Sequence, residues 1–224
     1  MIQKNLYIID VCGTLFFEDT TIGLLRFHFS RKGKNRFRQF LMQALTSKAS
    51  PFGLVFKLLE RVLSRHILKH LLIRLVAGEL ESDFEMSAEK YVRELLLHRK
   101  IHHVWSKFES QTMPVQIILA SASVEPVIKY LAITMGAEFV ASKLEVVEGV
   151  LTGRFGDDIS GRKEQAIKNK LSINLRLTSF VAISDNLTDK SLLMQATKAV
   201  VVLHRDRDRA RWWPIDAEFL EVRG

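Results

Sequence analysis

The side chains of this sequence that could do chemistry fall into four short polar clusters: Asp10 in DVCGTL, Ser121 in LASAS, Lys163 in GRKEQA, and Asp185 with Asp189 in SDNLTD. An aspartate is a competent nucleophile, a serine hydroxyl can hold an anionic oxygen, a lysine offsets developing negative charge, and paired carboxylates suit a hard divalent cation. Together they suffice for phosphoryl transfer, a reaction in which the protein mainly positions groups and neutralises charge. Singly, each has a plain structural reading: a helix cap for Asp10, a turn hydroxyl for Ser121, a solvated helix residue for Lys163. As an ordered set behind apolar runs, they favour the functional reading.

Such residues need a scaffold that brings them together. LYIIDV, residues 6–11, is an apolar run that ends at Asp10 ahead of Gly13, which predicts a buried strand stopping at a tight turn. Further strands are predicted at 115–120, 138–141, 180–183 and 199–203, with helices at 124–135, 161–170 and 190–196 between them. That alternation predicts an α/β fold, a Rossmann-like three-layer core with a mainly parallel sheet. In open parallel sheets ligands gather at the carboxyl ends of the strands, where the four clusters fall. Glu148-Gly149 between β-branched residues predicts a hairpin within 145–155.

Between residues 20 and 110 the texture is helical. Apolar residues from Leu54 to Leu75 recur mostly at spacings of three and four, with Lys57, Arg61, Arg65 and Lys69 among them, which predicts a basic amphipathic helix broken near Ser50-Pro51 and Gly78. A second helix is predicted over 87–100. The expected organisation is a core of residues 1–20 and 111–224 with a helical cap inserted at 21–110.

At the four clusters the chain resembles the haloacid dehalogenase superfamily, whose motifs run in the same order: a strand-end Asp followed by Gly-Thr, a strand-end Ser or Thr, a Lys, and a closing acidic pair. The likeness extends to the phosphoserine phosphatase-like branch through DVCGTLFFEDT, through LASASVEPVIKYLAITMGAEFVASKLEVVEGVLTGRF, and through DRARWWPI, which resembles that branch's closing helix. The resemblance implies that Asp10 attacks phosphorus to form an aspartyl-phosphate. It implies Mg²⁺ held by Asp10, the Cys12 carbonyl and Asp185, with Asp189 supporting the metal or Lys163. Ser121, Ala122, Lys163 and Asp19 would bind substrate.

Cys12 departs from the pattern, because phosphatases of this superfamily normally carry there a second Asp that protonates the leaving oxygen. A thiol of pKa about 8.5 is a poor proton donor to an alkoxide. Since general acid–base help contributes about 10²–10⁴-fold, its loss slows turnover without abolishing it, and leaving groups of low pKa need less help. Glu18 or Asp19 could substitute. The alternative is an impaired enzyme that binds phosphorylated ligands without turnover.

The bulk numbers agree with a globular protein. At 224 residues, 47% hydrophobic and 26% charged, the chain has room for one core and one cap. One cysteine forms no internal disulfide, and the uncharged run over 111–124 is below the roughly 20 apolar residues that span a bilayer. A cytoplasmic location is the expectation. The net charge of +8 is uneven: twelve Lys and Arg face one acid, Glu60, over residues 26–78. That basic stretch reads as a solvated face, as a collar for anionic substrates, or as a surface resting on anionic membrane. Relatives in the resembling branch include the phosphatidylglycerophosphate phosphatase type, which implies a small-molecule or lipid phosphate ester as substrate. Nucleic acid is disfavoured, since the segment lacks aromatics spaced for base stacking. His66 and His70, four apart, read as face residues without a partner acid. Trp212 and Trp213 are expected to seal the sheet edge.

Overall fold

The computed structural model of the chain describes residues 5–32, 38, 40, 65–111 and 114–222. Seven strands make one sheet: β1 (Asn5–Ile9), β2 (Val115–Val124), β3 (Glu138–Val147), β4 (Val150–Asp157), β5 (Phe180–Ser184), β6 (Lys198–Leu203) and β7 (Ala217–Glu221). Their order is β4-β3-β2-β1-β5-β6-β7, parallel throughout except for the β3–β4 hairpin. The described helices are α1 (Thr20–Lys32), α2 (Arg65–Ile73), α3 (Glu81–His98), α4 (His102–Glu109), α5 (Glu125–Met135), α6 (Lys163–Leu171) and α7 (Lys190–Gln195).

A central strand buried on both faces must be apolar where it is covered, and β1 is from Leu6 to Ile9. Tyr7 and Ile9 enter one hydrophobic cluster with residues of α1 through α5, while Leu6 and Ile8 enter a second with residues of α6 and α7. Val200 and Val202 against Val201 and Leu203 divide β6 in the same way. Two helical layers therefore enclose the sheet, and the fold is the α/β three-layer arrangement expected. Strand β1 is flanked by β2 and β5, with Ile9 opposite Leu119 on one side and Ile183 on the other. The residue after Ile9 thus emerges at the topological switch point of the sheet.

The hairpin falls where its sequence predicts. Glu148 (φ 49°) and Gly149 (φ 76°) are both left-handed, the type I′ geometry that matches strand twist, and Val147 pairs with Val150 across it. The described helices between residues 20 and 110 share the first cluster with the sheet: Leu24, Leu25, Phe84, Leu95 and Trp105 are buried together with Ile9 and Leu119.

Four expectations are corrected. Lys69, read as part of a solvated basic face, turns inward: its Nζ donates to Asp158 Oδ1 at 2.8 Å and to Ser160 Oγ at 3.1 Å. His70, read as lacking a partner acid, lies 3.0 Å from Asp158 Oδ2. Trp212 is buried in the second cluster, but Trp213 is 81% exposed, and the strand that ends the sheet is β7, half-buried and too weakly apolar to stand out in the sequence. The segment likened to a closing helix forms a 3₁₀ stretch, Asp206–Trp212. The predicted break at Ser50-Pro51 and the basic residues Lys34, Arg36, Lys48, Lys57 and Arg61 lie outside the described residues, as do the side chains of Arg65 and His66. No helix among the described residues is long and apolar enough to cross a membrane.

Phe84, fully buried, sets its ring 5.1 Å from that of His28 and so fastens α3 to α1. Phe84→Ala is expected to cost about 3–5 kcal/mol in urea unfolding, whereas Leu97→Ala on the exposed face of the same helix should stay within about 0.5 kcal/mol.

Candidate active site

Asp10 follows β1 directly, and its backbone N–H donates to the Ile183 carbonyl of β5 at 2.9 Å, which extends the ladder by one residue and fixes where the side chain emerges. Its Oδ1 accepts a hydrogen bond from Lys163 Nζ at 2.7 Å. The same ammonium donates to Asp189 Oδ2 at 2.6 Å, and Ser184 Oγ donates to that oxygen at 2.7 Å. All three charged groups are buried. No donor among the described residues reaches Asp10 Oδ2, so one carboxylate oxygen is gripped and the other keeps its lone pairs, as a nucleophile requires.

One cation between two buried carboxylates leaves uncompensated negative charge. Burial raises the Asp10 pKa from its ordinary value to about 7, with Asp189 and Asp185 adding to the rise and Lys163 opposing it. For Lys163, burial works toward neutrality, but Asp10 and Asp189 outweigh it and raise its pKa. We therefore take Lys163 as charged and Asp10 as the group that feels the excess.

Asp185 follows β5 and is held from two sides. Thr14 Oγ1 donates to its Oδ1 at 3.1 Å and accepts from its backbone N–H at 3.0 Å. His204, just past β6, donates from Nε2 to the Gly13 carbonyl at 2.7 Å and lies 3.5 Å from Asp185 Oδ2. The Asp185 carboxylate raises the His204 pKa, the Gly13 carbonyl adding to the effect and burial opposing it. Gly13 has φ 74°, and a Cβ there would lie 2.2 Å from Asp185 Oδ2. Glycine is required twice over, for the left-handed turn and for the carboxylate's approach.

Cys12 occupies a different environment. Its Sγ lies 3.0 Å from Ser123 Oγ and 3.2 Å from Thr20 Oγ1, those two hydroxyls are 2.6 Å apart, and the Thr20 N–H donates to the sulfur at 3.3 Å. Burial pushes the thiol pKa up to about 12, with Asp19 and Asp10 adding to the effect. The group is a neutral thiol across the physiological range.

The substrate-side candidates are dispersed. Ser121 is buried, and its Oγ accepts from the Ser123 N–H at 3.2 Å. The Ala122 carbonyl lies 2.9 Å from Ser142 Oγ, which in turn lies 3.1 Å from Asp158 Oδ1. Asp19 caps α1, its Oδ1 accepting from the N–H groups of Thr21 and Ile22 at 3.0 and 3.1 Å. Glu18 lies 3.7 Å from Arg99.

Asp10, Lys163, Asp185 and Asp189 therefore meet at one edge of the sheet. Asp189 Oδ2 accepts from both Lys163 and Ser184. Among the described residues no group of three or more His, Cys, Asp or Glu side chains could form a metal cage. The oxygens that could hold a cation are those of the Asp10 and Asp185 carboxylates, which lie close enough for Asp185 to raise the Asp10 pKa. That donor set suits Mg²⁺, which keeps several waters and takes one or two carboxylates plus phosphate. Sequence reasoning passed over Thr14, Thr20, Ser123, Ser184 and His204. Ser184 and His204 each stand where a predicted strand ends, so the same strand-end rule would have found them.

Comparison with known proteins gives the family and the fold. A model of the haloacid dehalogenase-like hydrolase family matches residues 8–194. Among solved structures, a protein of unknown function from Bordetella pertussis Tohama I superposes with TM-score 0.68 at 15% identity, covering 97% of this chain and 98% of that one. A phosphoserine phosphatase in apo form gives TM-score 0.57 at 14% identity, covering 99% and 95%. A cytosolic 5'-nucleotidase IIIB bound to cytidine gives 0.64 at 10%, covering 98% and 80%. At these identities the likeness is one of fold. No curated protein matched the sequence.

The raised Asp10 pKa makes a stability prediction with a definite sign. A carboxyl whose folded pKa is above its unfolded value favours folding at low pH, and that contribution is lost as pH rises from about 4 through 7. In chelator-treated protein at pH 8, Asp10→Asn should melt above wild type, and the gap should narrow as the pH is lowered toward 4. A wild type that melts higher at pH 8 would contradict the assignment.

Proposed function

Since the chain belongs to the haloacid dehalogenase-like hydrolase family, we propose that it is a Mg²⁺-dependent phosphatase or phosphotransferase working through an aspartyl-phosphate on Asp10. The observation that carries this reading is the Asp10 carboxylate itself, held through Oδ1 by buried Lys163 with Oδ2 left to attack. Oδ2 forms a bond to phosphorus as the bond to the leaving oxygen breaks. Lys163 stays with Asp10 and offsets the charge that gathers as two anions approach. Asp10, the Cys12 carbonyl and Asp185 would hold Mg²⁺, which when bound supplies the Lewis acid for the phosphoryl oxygens. Ser121 and the backbone at Ala122 would hold those oxygens, with Asp19 near the substrate's outer part. Residues 21–110 would act as the cap over a core of 1–20 and 111–224.

The substrate in this reading is an anionic phosphomonoester, lipid-like esters included, drawn by the basic stretch at 26–78. Because the Cys12 thiol is neutral and bonded to hydroxyls, it does not act as a general base, and its proton is too weakly acidic to serve a departing alkoxide well. Leaving groups of low pKa are accordingly favoured. The same observation supports a second reading, a protein that binds phosphorylated ligands without turning them over.

Phosphate release from a panel of alkyl, aryl, acyl and lipid phosphates with Mg²⁺ separates the two readings. The expected result is activity that Asp10→Asn abolishes and that Cys12→Asp raises by about 10²-fold or more on alkyl esters, with little gain on acyl phosphates. Silence of both wild type and Cys12→Asp across the panel would leave the binding reading.

A further inference from the structure

On the α4 side of the sheet the cover is incomplete. A cavity of about 350 Å³ opens between α4 and strands β1, β5 and β6, a size that takes a compact small molecule. Val181 and Ile183 of β5 and Val200 of β6 supply its apolar floor, and Ser106, Ser110 and Gln111 stand along the α4 side. Asp10, Lys163, Asp185 and Asp189 do not line it, so the space is separate from the catalytic edge.

Tyr7 is the first indication of what the cavity would hold. The residue is 7% exposed within the first hydrophobic cluster and lines the cavity, and among the described residues no hydrogen bond reaches its hydroxyl. That oxygen is not among the sealed polar atoms, so the small surface that Tyr7 retains includes it. A phenylalanine would cover the floor equally well, and a buried hydroxyl without a partner costs folding free energy unless something else bonds it.

Charge is the second indication. Lys107 and Lys198 both line the cavity, and both ammoniums are bound to Glu218, Lys198 at 2.9 Å. One carboxylate thus answers two cations, and no Asp or Glu among the described residues lines the space, so its rim is left positive. Ser106 Oγ donates to the His103 carbonyl at 3.0 Å and Ser110 Oγ donates to the Ser106 carbonyl. Their protons are used, and their oxygens remain as acceptors.

We propose that this cavity is a binding site for a small hydroxylated organic anion. The anionic head meets Lys107 and Lys198, the apolar body lies on Val181 and Val200, and the ligand hydroxyl bonds the Tyr7 hydroxyl with a serine oxygen to receive its proton. Charge-assisted hydrogen bonds at the rim supply attraction, and the Tyr7 hydroxyl gains the partner it lacks in the protein. The site stands whether or not the catalytic edge turns over phosphate esters.

Calorimetric titration of chelator-treated protein with two acids of different length, para-hydroxybenzoate and para-hydroxyphenylpropionate, tests the assignment. Benzoate and phenylpropionate omit the hydroxyl, and para-hydroxybenzamide omits the charge. The better of the two hydroxylated acids is expected to bind with a Kd of about 1 mM or tighter, and the analogues that omit a group at least about threefold more weakly. Tyr7→Phe should melt with wild type, having lost no internal bond, and should bind the hydroxylated acid no better than its unhydroxylated analogue. Lys198→Met, at an exposed position, should weaken every acid by about threefold or more and leave the amide unchanged. Asp10→Asn should alter none of these affinities. Absence of saturable binding by either hydroxylated acid overturns the proposal, as does binding that Asp10→Asn removes and Tyr7→Phe and Lys198→Met leave intact.

Discussion

Three carboxylates and one ammonium converge at the carboxyl edge of this sheet, and keeping them there is the constraint the surrounding structure answers to. Removing a charge from water is expensive unless it is paired and hydrogen-bonded. Lys163 is shared by Asp10 and Asp189, Ser184 supports Asp189, and Thr14 and His204 hold Asp185. Lys163 starts α6, Ser184 ends β5, His204 follows β6 and Thr14 lies in the turn after β1, so the order β2-β1-β5-β6 is what lets residues far apart in the chain satisfy one another. The remaining imbalance falls on Asp10. A divalent cation and a phosphate would find there the negative charge and the positive grip that each requires.

The other half of the site is neutral. Cys12, Thr20 and Ser123 form a closed triangle of weak donors and acceptors where a carboxylate would have added a fourth negative charge. That triangle ties the loop after β1 to the start of α1 and to the end of β2, so the thiol has a positional role whatever its chemical one. It also orients α1, and with it Gly23 and the close approach of α3. Substitutions at Cys12 thus act on chemistry and on the seating of α1 together.

A second, half-buried pair links helix α2 to the site. Lys69 is bound to Asp158, whose pKa is lowered because the Lys69 ammonium and Ser160 outweigh burial, and Ser142 bridges from Asp158 toward the Ala122 carbonyl. The loop carrying Asp158 runs on into Lys163 at the start of α6. Helix α2 therefore touches, through one carboxylate and one serine, the two segments that carry Ser121 and Lys163. Part of the basic stretch is in this way an internal fastening rather than a surface charge.

The sequence by itself determined the alternation of strands and helices from residue 115 onward, the hairpin at Glu148-Gly149 and the identity of Asp10, Lys163, Asp185 and Asp189, because these depend on local periodicity, turn chemistry and residue type. Tertiary structure alone decided which charges pair. Lys69 and His70 show no partner within reach along the chain, and Asp158 meets them only because the loop after β4 comes against α2. It likewise decided that Asp189 holds Lys163 and that the Cys12 thiol is neutral. Burial and the direction of a side chain are properties of packed surfaces, and no spacing of residue types encodes the dielectric or the neighbour that a group will meet when the layers close.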